Sequence, residues 1–501
     1  QRLVIANILD AVSARSKTKE LEEKLENGEI SKQEFDDILF DQDGASRGNQ
    51  IVLLPTGAGK SMCFLVPAIL LEGVTLILYP LLALMSDQER RMIEGGIPSV
   101  IFRGGQTKEE REENFYKLGI RKNKNGETIS KDEKAKIIIA NPEVLQNGNL
   151  IEELAKCNIE HVAIDEAHCV SEWGDTFRPT YTTLGKVIKK LSEGCPNGKP
   201  VVTAFTATAS PSVLERISEL LFEGRAHILR SESDRANIIY HVVKAEAKEK
   251  AVIELVQKNK KPLIVFCSSR KRTEKMSRIM KEIFGKDKVK FYHAGLEREE
   301  KTKIEKWFFP KTDAILCATC AFGMGVDKKD IKTVIHLDVP PTAESYIQEA
   351  GRGGRDGSIA NAILVWSEQD SFKVKNFKEG SREKVLSSFA LTSECRRQVL
   401  LDALGGEQAV CSGCDNCNGT SIHYSLDAQK AIKIIRRYNK YLTFDECANK
   451  IKENFNEKCS RNNEMRYWEI SDAEQILSSL LIQKRAKICK FPWKNKIAIV
   501  K

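Results

Sequence analysis

Up to about residue 370, short apolar runs alternate with longer stretches whose apolar positions recur at helical spacing. The runs at 50–54, 74–79, 137–140, 162–164 and 201–205 read as buried strands. A second series follows at 263–267, 288–292, 314–318, 333–337 and 362–366. Strands separated by helices predict parallel, doubly wound sheets, so this pattern predicts two α/β domains in tandem with a boundary near 234–237. From about residue 372 the pattern turns helical and then cysteine-rich as far as Cys417. The remainder reads as helices followed by a hairpin with Trp493-Lys494-Asn495-Lys496 at its tip. Residues 13–49 are charged and helix-prone, with no apolar face long enough for a core element, and read as an insertion. Residues 117–133, rich in Lys, Asn and Gly, read as an exposed loop. The expected segments are therefore 1–235, 236–371, 372–422 and 423–501.

Composition narrows the class. A chain of 501 residues exceeds one core. With 41% apolar and 30% charged residues it reads as a soluble globular protein. The most apolar stretch, near 64–82, is broken by Pro67, Glu72, Gly73 and Pro80, so it does not predict a membrane span. No secretion signal and no solenoid-period repeat is visible. A net charge of +9 permits a polyanionic partner. The 14 cysteines are scattered apart from one cluster, which predicts reduced thiols and a metal site rather than disulfides.

The chemistry concentrates at strand ends. Asp165-Glu166-Ala167-His168 follows the apolar run 159–164, where a nucleotide-hydrolysing domain keeps a magnesium ligand and a water-polarising carboxylate. Taken alone, the pair reads equally well as a helix cap. Beyond it, Trp173, Phe177, Arg178 and Tyr181 combine rings and a guanidinium, which can stack on unpaired bases and hold phosphate, although rings at such spacing also serve as core. Pro55-Thr56-Gly57-Ala58-Gly59-Lys60-Ser61 leads from a strand into a helical run. Its small residues let backbone N–H groups close on phosphates, with Lys60 for the β/γ-phosphates and Ser61 for Mg²⁺. Thr206-Ala207-Thr208 can hydrogen-bond the acidic pair, or can be a plain helix cap. Arg352 and Arg355, three apart in a glycine-spaced run, suit γ-phosphate chemistry better than a solvated turn does. Cys395, Cys411, Cys414 and Cys417 have the spacing of a tetrahedral Zn²⁺ site, with an iron–sulfur cluster the lesser alternative. Cys63, Cys267 and Cys317 read as core thiols.

In this order, along nearly the whole chain, these motifs resemble the RecQ family of superfamily-two DNA helicases. Further matching segments are Gln1, Tyr79-Pro-Leu-Leu-Ala-Leu-Met-Ser-Asp-Gln88, Ala140-Asn-Pro-Glu143, Ile264-Val-Phe-Cys-Ser-Ser269, Tyr292-His-Ala-Gly295, Ala318-Thr-Cys-Ala-Phe-Gly-Met-Gly-Val-Asp327 and the run from Gln348. The aromatic-rich loop and the cysteine spacing are the family-specific parts. The resemblance implies two RecA-like domains, a helical zinc module and a winged helix, forming an ATP-driven motor that moves 3′ to 5′ on single-stranded DNA. It implies unwinding of duplex or forked DNA in repair and recombination, in the cytoplasm of a bacterium or the nucleus of a eukaryote. By that likeness Gln1 reads adenine. Thr56, Gly57, Gly59, Lys60, Ser61, Asp165 and Asp327 hold Mg-ATP, and Glu166 polarises the water. Gln348, Arg352 and Arg355 serve the γ-phosphate across the domain cleft, and Trp173, Phe177, Arg178 and Tyr181 couple DNA to hydrolysis. The family's His-Asp after Trp-Gly is Asp175-Thr176 here, and 13–49 widens the gap between Gln1 and the phosphate loop. The rival readings are an RNA helicase, a translocase that does not separate strands, and a non-hydrolysing DNA scaffold. The last needs none of Lys60, Asp165, Glu166 and Arg355.

Overall fold

The computed structural model describes residues 1–39, 48–55, 58–172, 179–195, 199–231, 234–323, 328–378, 381–422, 425–461 and 468–500. The chain forms two compact units, 1–234 and 235–501.

In the first unit the strands are β1 (Gln50–Leu53), β2 (Val74–Leu78), β3 (Ser99–Phe102), β4 (Ile137–Ala140), β5 (Ile159–Ile164), β6 (Val201–Thr206) and β7 (His227–Arg230). They make one parallel sheet ordered β3-β4-β2-β5-β6-β1-β7. A parallel sheet needs helices on both faces, which is why its inner strands are near-continuous apolar runs. Helices Arg2–Ser16, Lys60–Leu70 and Leu82–Glu94 supply Val4, Ile8, Phe64, Met85 and Met92 to one face. Gly148–Ala155, Leu184–Glu193 and Pro211–Phe222 supply Leu150, Leu184 and Val213 to the other. Phe64 meets Phe205 edge-to-face at 5.2 Å; truncating either ring should cost about 3–5 kcal/mol. The register places Leu53 beside Thr206, and Ile164 beside both Leu78 and Ala204. The phosphate loop, the acid pair and the Thr206 loop therefore leave neighbouring strands at the same edge, the carboxyl end.

In the second unit, β8 (Ile238–Lys244), β9 (Leu263–Phe266), β10 (Val289–Tyr292), β11 (Ile315–Ala318), β12 (Thr333–His336) and β13 (Ala360–Trp366) form a parallel sheet ordered β10-β11-β9-β12-β13-β8. Helices Glu368–Val374, Arg382–Leu391 and Arg396–Ala403 follow, and the cysteine-rich loop comes after them. Helices Leu426–Arg437, Phe444–Arg461 and Ile470–Ile482 then share an apolar cluster with the antiparallel hairpin of β14 (Ala486–Ile488) and β15 (Ile497–Ile499).

Two features depart from the sequence pattern. Within 13–49, helices Thr18–Glu26 and Lys32–Leu39 do build a small core of their own, with Leu21, Phe35 and Leu39 buried together. The strands β3, β7 and β8 were not among those the pattern picked out. All three are sheet edges, and β7 shows the alternating burial of a half-covered strand.

Candidate nucleotide site and cysteine cluster

At the carboxyl edge of the first sheet, Gly59 adopts φ +74° immediately before helix Lys60–Leu70, a conformation that costs a glycine nothing. Lys60 Nζ lies 3.6 Å from Glu166 Oε1. Glu166 holds φ +50°, and Asp165 Oδ1 accepts its backbone N–H at 2.9 Å. A non-glycine residue in this region is strained by about 1–2 kcal/mol, and such strain collects at functional sites. Burial pushes the Asp165 carboxyl up to about 6, opposed by Lys60 and reinforced by Glu166. An acid in that state gains by meeting a cation, so the donor set fits a divalent metal.

His168 is the residue whose role sequence reasoning missed. Its Nδ1 lies 3.4 Å from Glu166 Oε2 and 3.1 Å from Thr206 Oγ1. Thr206 Oγ1 in turn donates to Thr208 O at 3.0 Å. The threonine loop thus reaches the acid pair through the imidazole, and the signal was the His at the end of Asp165-Glu166-Ala167-His168. Gln1 donates its side-chain amide to Ala58 O, which ties it to the phosphate loop. Ser61, half-buried, starts the helix beside Lys60.

Among the ring-bearing candidates, Tyr181 requires a correction. It is 2% exposed and packs in the first core with Leu184 and Val170, so it cannot stack on a base. Trp173, Phe177, Arg178, Thr56, Gly57 and Asp327 lie outside the described residues.

In the second unit Gln348 sits on helix Ala343–Ala350, and Arg352 and Arg355 follow in the turn after it. Arg235 staples this turn. Its guanidinium donates to Gly351 O at 3.2 Å, Gly353 O at 3.2 Å and Gly354 O at 3.0 Å. Asn237 Nδ2 donates to Gly354 O at 2.8 Å and Ser358 O at 2.7 Å. Gly354 has φ +55°, and a Cβ there would collide with Ser358 O and Asn237. Burial, then the neighbouring Arg355, lowers the Arg235 pKa. His336 Nε2 meets Glu349 Oε2 at 2.9 Å behind the turn.

The sulfurs of Cys395, Cys411, Cys414 and Cys417 all lie within 4.8 Å of one another. A tetrahedral Zn–S distance of about 2.3 Å asks for sulfurs somewhat closer, so the set fits zinc with a modest contraction. Burial pushes the Cys414 thiol up, but N–H groups of Cys417 and Arg396 and the neighbouring thiols outweigh it, and the net shift is downward. The loop caps the sheet edge: Cys414 bridges Tyr240 of β8, and Asp415 accepts Val242 N–H at 2.9 Å. Arg396 pairs with Asp415, while Arg397 donates to the carbonyls of Arg235 and Ile238. Cys63, Cys267 and Cys317 are buried, as core thiols should be.

Residues 30–217 match the DEAD/DEAH box helicase family, and 247–357 match the helicase conserved C-terminal domain. The ATP-dependent DNA helicase RecQ of Bacillus subtilis is 31% identical over 407 residues, covering 78% of this chain and 66% of that protein. RecQ of Pasteurella multocida is 33% identical over 405 residues, covering 78% and 61%. The probable helicase RecS of B. subtilis is 37% identical over 318 residues, covering 63% and 60%. The chain thus spans about three-fifths to two-thirds of the length of these relatives. Among solved structures, helicase MrfA bound to DNA and AMPPNP aligns with TM-score 0.52 at 18% identity, covering 99% of this chain and 61% of MrfA. Mss116p bound to ssRNA and AMP-PNP aligns with TM-score 0.51 at 19% identity, covering 92% and 91%. These two likenesses carry the fold alone, two RecA-like domains. No helix among the described residues is long and apolar enough to cross a membrane. With both domain families matched in order and helicase relatives aligned along most of it, the chain belongs to the RecQ family.

Proposed function

We propose that this protein is an ATP-dependent DNA helicase that translocates 3′ to 5′ on single-stranded DNA and unwinds forked or branched duplexes in repair and recombination. One observation carries the reading most: Lys60, which follows β1, and Asp165 and Glu166, which follow β5, converge at the carboxyl edge of one parallel sheet with only β6 between the two strands, in a RecQ-family chain. In this reading Lys60 and Ser61, with Thr56, Gly57 and Gly59, hold the nucleotide phosphates, Gln1 and Asp327 complete nucleotide binding, and Asp165 holds Mg²⁺. Mg²⁺ supplies charge neutralisation for the phosphates. Glu166 orients and deprotonates the attacking water, and His168 fixes its carboxylate. Gln348, Arg352 and Arg355 offset the charge that develops on the γ-phosphate, and Arg235 keeps their turn in shape.

Trp173, Phe177 and Arg178 link a stacked base to the acid pair, a few residues away in sequence. Zn²⁺ on the four cysteines organises the segment 372–422. The helices and hairpin of 423–501 act as a winged helix, with Trp493 and the lysines beside it toward the fork. The relatives are named as DNA helicases, which favours DNA over RNA here.

The test measures phosphate release with single-stranded DNA or RNA, alongside separation of forked duplexes bearing 3′ or 5′ tails. Stimulation by DNA and unwinding from the 3′ tail are expected. Stimulation by RNA alone would establish the RNA-helicase reading, and ATP hydrolysis without strand separation would establish a translocase.

A further inference from the structure

The second α/β domain and the three-helix module at the end of the chain meet around one carboxyl group, Glu246. It follows β8 and is 5% exposed. From the C-terminal module, Ser479 Oγ lies 2.5 Å from Glu246 Oε2, and Gln483 Nε2 lies 3.4 Å from Oε1. Glu368, at the start of its helix, gives its backbone N–H to Oε2 at 3.3 Å. In the other direction, Asp427 of the helix Leu426–Arg437 accepts the N–H groups of Glu246 at 3.1 Å and Ala247 at 3.0 Å through one oxygen. Ala247 is 1% exposed and belongs to the apolar cluster of the C-terminal module, with Ala431, Ile476 and Leu480. Lys250 Nζ adds a contact 5.7 Å from the Trp468 ring centre.

The charges around Glu246 are the wrong ones for a carboxylate. The titratable groups that face it most closely are Asp427 and Glu368, both acids. The helix Ile470–Ile482 and the residue after it present only the uncharged Ser479 and Gln483. Of the nearby lysines, Lys248 pairs with Asp370 at 2.9 Å, while Lys244 gives its Nζ hydrogen bond to Ala390 O at 2.8 Å and reaches Glu246 only through its field, its own pKa lowered to about 8, chiefly by burial. A sealed carboxylate with no cation paired to it is costly, whereas a neutral carboxyl keeps its hydroxyl partner, since a serine hydroxyl can donate or accept.

We propose that Glu246 is a positioning residue that is carried as the neutral acid and fastens the C-terminal module to the second α/β domain. The consequence for unwinding rests on the helicase reading above: a DNA-gripping module fixed in this way moves with the domain that drives it. Burial is the largest cause acting on this carboxyl, opposed by Ser479 and reinforced by Asp427, and the net effect pushes it up from 4.5 to about 7. For an acid whose pKa is raised by docking, the docked state binds the proton more tightly. Docking is therefore strongest below pH 4.5, weakens as pH rises toward 7, and stays weak above it.

The experiment is hydrogen exchange on the full chain, corrected for the intrinsic pH dependence of amide exchange, read at residues 245–250. Protection there should fall about fiftyfold between pH 5 and pH 8. In Glu246→Gln, which keeps a neutral polar group, protection should be high at both pH values. Ser479→Ala should lower it at both, while the inner strands β9, β11 and β12 stay protected. Equal protection of the parent at both pH values, or a Glu246→Gln variant that tracks the parent, overturns the proposal. So does Ser479→Ala with unchanged protection, which keeps the test decisive if Glu246→Gln folds poorly. Forked-duplex unwinding per ATP hydrolysed should fall with pH in the parent and not in Glu246→Gln. A chain that hydrolyses no ATP would sink the helicase reading and leave the exchange result to decide the docking.

Discussion

Asp165 in the first unit and Glu246 in the second are both pushed up by burial, to about 6 and about 7, and the fold treats them in opposite ways. Asp165 keeps a solvent-facing side and has Lys60 within its field. Glu246 is sealed, and its nearest titratable neighbours are acids. A half-buried acid within the field of a lysine is placed to exchange its proton for a metal ion. An acid closed in among other acids is placed to keep it. Burial alone does not separate a catalytic carboxyl from a structural one; the sign of the surrounding charge and access to solvent do.

The largest expected effect falls on the second region. Cys414 bridges Tyr240 of β8, the strand that runs on toward Glu246. Structural zinc contributes roughly 10–16 kcal/mol of apparent binding energy, much of it folding. Cys414→Ser should abolish the one zinc per chain that elemental analysis is expected to find in the parent, and should open 235–422 to proteolysis. Nucleotide binding at the first unit should survive. A variant that retains zinc and protease resistance would separate the cysteine cluster from the fold of this region.

Next, Lys60→Ala makes the first acid resemble the second by removing its cation. The Asp165 carboxyl should rise further, because the Lys60 charge is what most opposes the effect of burial on it. The rate of phosphate release should fall on the order of 10²–10³-fold. A rate within threefold of the parent would remove Lys60 from the phosphate site.

Arg235→Ala should cost less. It removes the arginine donor from Gly351 O and Gly353 O, while Gly354 O keeps Asn237, at about 1–3 kcal/mol for a buried group left unpaired. DNA-stimulated ATPase should drop about tenfold, with a lowered melting temperature. A melting loss without an ATPase loss would show that the turn's shape is irrelevant to Arg352 and Arg355. The smallest effect belongs to Glu368→Gln, which takes one acid away from Glu246. The pH at which residues 245–250 lose protection should move down, and a move upward would contradict the charge argument.

How much of this was legible in the sequence follows from physics. Lys60, Asp165 and Glu166 were legible because parallel strands buried on both faces are unbroken apolar runs, and their chemistry follows at the carboxyl ends. The four cysteines were legible from spacing. The strands β7 and β8 escaped because they are half-covered edge strands with an alternating pattern, and β3, buried over Val100–Phe102, escaped because its apolar run is only three residues long. Arg235 and Glu246 escaped for a different reason. Arg235 bonds to carbonyls 116 to 119 residues away, and Glu246 meets Ser479 233 residues away. No local pattern encodes such partners. His168 lay in plain view beside the acid pair, but its tie to Thr206 needed β5 and β6 to be neighbours.

The most direct test of the central claim, that DNA drives ATP hydrolysis at the Asp165–Glu166 strand end, is phosphate release by Glu166→Gln with and without single-stranded DNA, measured beside Mg-ATP binding. Binding close to the parent is expected, because Lys60, Ser61 and Asp165 remain, with DNA-stimulated release lower by roughly 10²–10³-fold. Hydrolysis at the parental rate, still stimulated by DNA, would contradict that claim.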